Sequence, residues 1–139
     1  MFVRAGSRYE DAPTNGLSHL LEHMVFRGTA THPSSYAFNR VIEDLGGSLD
    51  AATQVDSTSF ELEVPPENVL AGMAPFAEIF RAPVFADLET EKRILREEIL
   101  EDLDEDERDV DAENIARALL YGEHPLGYSI TGSLANVAS

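Results

Sequence analysis

The chain has 139 residues, 43% of them hydrophobic, which suffices for one small domain with a buried core and is too few for two. Its 10 basic and 26 acidic residues give a net charge of -16, which repels nucleic-acid phosphates and anionic lipid, so neither is expected as a partner. There is no cysteine, which excludes disulfides and thiolate metal sites.

MFVRA at the start is an apolar, β-prone run and reads as a strand. MFVRAGSRYE has no basic lead, apolar middle or small-residue cleavage site, so no signal peptide is seen and a cytoplasmic location is expected. GSRYEDAPTN supplies loop chemistry. Thr14 or Asn15 is expected to cap a helix from Gly16 to Phe26, with Leu17, Leu20, Leu21 and Met24 apolar and Gly28 stopping the helix. A second helix is expected from Ser35 to Leu45, where Phe38, Val41, Ile42 and Leu45 recur at helical spacing before Gly46 and Gly47.

SLDAATQV and STSFELEVP alternate in part at period two and read as an antiparallel pair joined near Asp56. Pro65 and Pro66 open a third helix near Glu67, running to Phe80. A fourth begins near Leu88, with Leu88, Ile94, Leu95, Ile99 and Leu103 as its apolar stripe. ENIARALLY is a last short helix, and GEHPLGYSITG is a loop. These elements give an α+β fold, an antiparallel-rich sheet packed by helices.

SHLLEHMVFRGT places chemistry on the first helix. Residues four apart share a face, so His19 and His23 can aim at one point. That is the geometry of a zinc pair, and a catalytic zinc takes three protein ligands, leaving one position for water. Glu22 adjoins His23 and can serve as base toward such a water. The order His-x-x-Glu-His is the inverzincin motif. His32 and His124 read as ordinary core or rim histidines.

The third ligand is expected from a carboxylate on a neighbouring helix. Glu98 follows Leu95 and Ile94 by three and four residues and so shares their stripe, while Glu97 is turned about 100° away. Glu91, one heptad earlier on that face, is placed to hydrogen-bond around the site.

These residues carry a resemblance to the pitrilysin/insulinase family of zinc metallopeptidases, which includes the mitochondrial processing peptidases. It runs from GSRYED through NGLSHLLEHMVFRGT and IEDLGGSLDAATQVDSTSFELEVP to the Glu91–Glu98 segment and HPLGYSITGS. The family pattern sets the third ligand about 75 residues beyond the second histidine, with another glutamate seven residues before it, and Glu98 and Glu91 fit both conditions.

The resemblance implies zinc, one per chain, held by His19, His23 and Glu98, with Glu22 activating the attacking water. It implies a peptide or unfolded-protein substrate added as an extended strand along Asp50, Ala51, Ala52 and Thr53. Asp50 stands where the family has asparagine. It further implies that residues 1–139 are a partial N-terminal catalytic domain, incomplete at both ends, within a unit of roughly 200 residues. A sheet cut in this way exposes an edge and an apolar face, so self-association or pairing with a complementary peptidase-like chain is expected. Light scattering that gave a one-chain mass across a concentration series would contradict this.

Two other readings stay open at this point. One is a non-catalytic assembly module, or an inactive fragment that a second chain or domain must complete. The other is calcium binding by DLDEDERDVDAE, where Asp102, Asp104, Asp106 and Glu113 fall at loop positions 1, 3, 5 and 12 but Glu107 stands where glycine is required. As a solvated face, the same run could attract basic peptides, which comparing acidic and basic substrates at low salt would test.

Overall fold

The computed structural model describes residues 1–139. In chain order it has β1 (Phe2–Val3), α1 (Leu17–Val25), α2 (Ser35–Asp44), β2 (Ser48–Thr53), β3 (Thr58–Glu63), α3 (Val69–Arg81), α4 (Leu88–Glu101), α5 (Ala112–Tyr121) and α6 (Leu134–Ala138). The three strands form an antiparallel sheet in the order β1-β3-β2, so β2 is an edge strand. Its register pairs Leu49 with Leu62, Ala51 with Phe60 and Thr53 with Thr58. No helix is long and apolar enough to cross a membrane.

Helices cover the sheet on the face to which Leu49, Ala51 and Thr53 point. Phe38 and Ile42 of α2 and Ile79 of α3 are buried together, with Phe26, Leu49, Leu62, Phe76 and Phe80 packed around them. Phe60 and Phe80 meet edge to face with centroids 4.9 Å apart, an arrangement that suits the ring quadrupoles. A second contact joins α1 to α4, on which Met24, Val25, Leu95 and Ile99 are buried. This α1–α4 contact, flanked by β2, positions the histidines.

Several expectations change in detail. MFVRA contributes only two residues to the sheet, because Val3 already pairs with Thr58 and the chain then bends into a 3-10 turn at Ser7–Tyr9. A 3-10 turn at Pro66–Asn68 precedes α3, and Pro75 lies inside that helix, where it lacks the N–H that would bond one turn back. On α4 the buried face runs through Glu91, Leu95 and Ile99. Ile94 is 39% exposed and Leu103 lies past the helix end, bridged to Asp109. ENIARALLY is not the last helix: α6 follows it, capped by Ser133 Oγ accepting from Asn136 N at 3.2 Å.

Candidate metal centre

The entry to α1 is built from a distance. Neither Thr14 nor Asn15 caps it: the N-cap is Gly16, in the left-handed region at φ 97 and without a side chain. The capping acceptor is Glu10, whose two carboxylate oxygens accept from Gly16 N at 2.8 Å and Ser18 N at 2.7 Å. Asn15 Nδ2 also donates to Glu10, at 3.2 Å, and to Ser129 O, at 2.9 Å. A negative charge here satisfies orphan amides and complements the helix dipole. No local pattern announces Glu10, since it reaches the helix through a loop. Gly16 is also needed for close approach, because a Cβ there would lie 2.9 Å from the Gly132 Cα.

From this start, His19 and His23 fall on one face of α1 with their Nε2 atoms 3.3 Å apart. Glu98, across on α4, brings Oε2 to 3.7 Å from His19 Nε2 and 3.8 Å from His23 Nε2. Glu97 points away, its side chain 72% exposed against 36% for Glu98. Behind His23, Nδ1 lies 2.9 Å from Glu91 Oε2, and the other Glu91 oxygen pairs with Arg27. Glu91 is 3% exposed, so this buried carboxylate has both oxygens engaged by cationic or N–H groups. An Nδ1–H donated to Glu91 leaves the His23 Nε2 lone pair directed at the point that His19 and Glu98 share.

Two imidazole nitrogens and one carboxylate oxygen are a zinc-type donor set. Ligands 2.0–2.1 Å from a tetrahedral centre stand about 3.4 Å from one another, and the separations here are 3.3, 3.7 and 3.8 Å. The residues therefore fit a zinc ion. Burial pushes the His19 pKa below the ordinary histidine range, and proximity to His23 pushes it the same way. Glu22, Glu98 and Glu10 oppose the shift. The neutral imidazole is the form a metal takes.

Glu22 is the third member of a cluster with His19 and His23, their ligand atoms all within 4.8 Å of one another. One of its oxygens, Oε2, accepts a 2.5 Å hydrogen bond from Thr53 Oγ1. A cleft passes these groups, lined by His19, Glu22, Ala52, Thr53, Asn114 and Arg117, and the sequence reading missed the last two. Asp50 to Thr53 form the end of the edge strand, with Asp50 and Ala52 exposed and the Thr53 side chain turned inward.

The remaining candidates do not join the histidine cluster, although Asp102 lines the same cleft. His32 contacts Thr31 Oγ1 at 2.9 Å and lies 3.7 Å from Glu78, while His124 Nδ1 accepts from Leu126 N. Asp102, Asp104, Asp106 and Glu113 form no cluster able to hold an ion. Glu107 makes the turn reserved for glycine, at φ 58, but the acids around it bind backbone amides and arginines.

A helix thus presents two histidines and a glutamate, and a carboxylate from a second helix meets them beside an edge strand. Residues 1–133 match Insulinase (Peptidase family M16), and the chain belongs to that family. It is 33% identical to an uncharacterized zinc protease of Bacillus subtilis, YmxG, over all of this chain and 34% of that protein. It is 36% identical to a probable mitochondrial-processing peptidase subunit beta of Arabidopsis thaliana, over all of this chain and 26% of that one. The fold superimposes on a protease from Helicobacter pylori with a TM-score of 0.86 at 21% identity, covering 99% of this chain and 33% of that chain. The chain thus spans about a third or less of the length of these relatives.

Proposed function

We propose that this chain is the metal-holding portion of a zinc endopeptidase, in which His19, His23 and Glu98 hold one zinc and Glu22 is the general base. The observation that carries the reading is the triangle of His19 Nε2, His23 Nε2 and Glu98 Oε2, backed by Glu91 on His23 Nδ1. Zinc, when bound, supplies a Lewis acid that polarises a scissile carbonyl and lowers the pKa of a water.

The chain's own residues do the rest. Glu22 keeps Oε1 clear of hydrogen bonds while Thr53 occupies Oε2, so Oε1 is the oxygen available to take the proton of the attacking water. The same carboxyl can then give that proton to the leaving amine, which balances the hydrolysis without a further acid. Glu91 holds the His23 ring in one tautomer and one orientation.

The substrate is an extended peptide laid along β2. That strand has β3 on one side only, so its outer main-chain groups from Asp50 to Thr53 are free for strand addition. A complementary peptidase-like chain, or another copy of this one, supplies the opposite wall of the cleft.

The test of this function is Glu22→Gln. It should retain about one zinc per chain and lower peptide hydrolysis by a factor on the order of 10²–10⁴. Undiminished cleavage would remove Glu22 from the base role.

A further inference from the structure

Thr53 is the last residue of β2 and the place where that strand touches the base. We propose that Thr53 is a positioning residue: its hydroxyl fixes the Glu22 carboxylate and ties it to the strand that receives the peptide. This rests on the reading of Glu22 as general base.

The hydrogen-bond direction follows from the groups themselves. An ionised carboxylate only accepts, so Thr53 donates its single hydroxyl proton to Glu22 Oε2 across 2.5 Å. Thr58, opposite in the ladder, is the only competing acceptor for that proton, and its Oγ1 is 3.4 Å away. Thr58 has its own outlet in the Ala5 carbonyl at 3.3 Å. A charge-assisted bond to carboxylate outcompetes a long contact between two hydroxyls.

The anchor is stiff. Thr53 is 8% exposed and Thr58 is 3% exposed, so both are held among packed neighbours. Threonine branches at Cβ, which restricts χ1, and its main chain is fixed by pairing with Thr58. Glu22 differs: it is partly exposed, on a long side chain with several accessible rotamers, and no other hydrogen bond holds it. Of the pair, Thr53 therefore sets the position and Glu22 follows.

One residue thus joins two parts of the site. The Thr53 main chain belongs to the edge that places the scissile peptide, and its side chain places the oxygen that receives the proton. Displacement of a reacting group by about 1 Å costs on the order of 10²-fold in rate, so a single hydroxyl linking base to strand has a measurable kinetic consequence.

The test uses the full chain with three substitutions. Thr53→Val keeps the branched shape and removes the donor, Thr53→Ser keeps the donor, and Thr53→Ala is available if valine does not fold. With a fluorogenic peptide, Thr53→Val should lose about 10- to 100-fold in kcat with KM unchanged and zinc content equal to wild type. Thr53→Ser should recover to within about threefold of wild type. A crystal structure of Thr53→Val should show the Glu22 carboxylate away from its wild-type position, with His19 and His23 unmoved.

Wild-type kcat in Thr53→Val, equal impairment in Thr53→Ser, or a loss confined to KM would each overturn the assignment. An unmoved Glu22 in the crystal would do the same. Absence of cleavage by the wild-type chain alone would show that turnover needs the second wall of the cleft, and the position of Glu22 in the variant crystal then decides what Thr53 does.

Discussion

Two groups of acids lie close together in this chain, and the fold uses them in opposite ways. Between α1 and α4, Glu22, Glu91 and Glu98 turn toward imidazoles or a buried hydroxyl, and Glu91 has lost nearly all contact with solvent. In the loop from Asp102 to Glu113, acids turn toward their own backbone. Asp104 accepts from Asp106 N and Arg108 N, Asp109 accepts from Asp111 N, and Asp111 caps α5 through Glu113 N and Asn114 N. The acid-dense loop has no donors converging on a point, while the sparser group has three. Carboxylate density therefore says little about metal binding; what the oxygens face decides it.

Removing ligands should break this contrast most sharply. His23→Ala and His19→Ala are each expected to reduce zinc in the purified chain from about one per molecule to a small fraction, as read by elemental analysis. Glu98→Gln should lower zinc affinity, and Glu97→Gln should leave it at the wild-type value. Asp104→Asn and Asp106→Asn should also leave zinc content unchanged. Loss of zinc in either loop variant, with the histidines intact, would mean that the two acidic regions are not functionally separate.

A smaller effect tests the buried support. Glu91→Gln is nearly isosteric and keeps an oxygen that can accept from His23 Nδ1, but it leaves Arg27 without its carboxylate. Zinc affinity should fall about 10- to 100-fold. Stability of the metal-free chain should fall by about 3–5 kcal/mol, as expected when one partner of a buried ion pair is removed. Chemical denaturation in a chelator separates the two effects. An unchanged denaturation midpoint would show that Glu91 does not support the α1–α4 contact, and an unchanged zinc affinity would show that it does not hold the ring.

The same contrast explains what the sequence could disclose. His19, Glu22 and His23 were legible because helical geometry alone sets the relation of residues three and four apart. Glu98 was legible over Glu97 because the apolar period of α4 separates their faces by a wide angle. The hairpin from Ser48 to Glu63 was legible for a similar reason, its side chains alternating at period two. Glu10 as the cap of α1, Asn114 and Arg117 in the cleft, and the Thr53 hydroxyl on Glu22 are contacts between segments. Each depends on how the chain is folded back on itself, and no local period encodes it. The position of β2 at the sheet edge is of the same kind, since it follows from β1 pairing with β3. Thr14 and Asn15 misled because both are good capping residues by type, whereas the site they would have served was already taken by Glu10.

The finest distinction between the two regions lies in their response to pH. Asp102 stands at the end of α4, where partial burial raises its pKa above the ordinary 3.8, with Asp111 and Asp109 adding to the shift. Asn114 Nδ2 donates to it and opposes the rise. A carboxyl whose pKa is higher folded than unfolded holds its proton more tightly in the native state. Its contribution to stability is full below about pH 3.8 and is lost as pH rises through the folded pKa. An amide cannot ionise, so Asp102→Asn should gain relative to wild type as pH rises above about 3.8, and the gain should level off once pH has passed the folded pKa. The measurement is the difference between the two denaturation midpoints at each pH, taken in chelator so that the metal centre is silent. A difference that is flat across this range would mean that the loop acids do not repel one another in the fold, and the contrast with the α1–α4 group would then rest on burial alone.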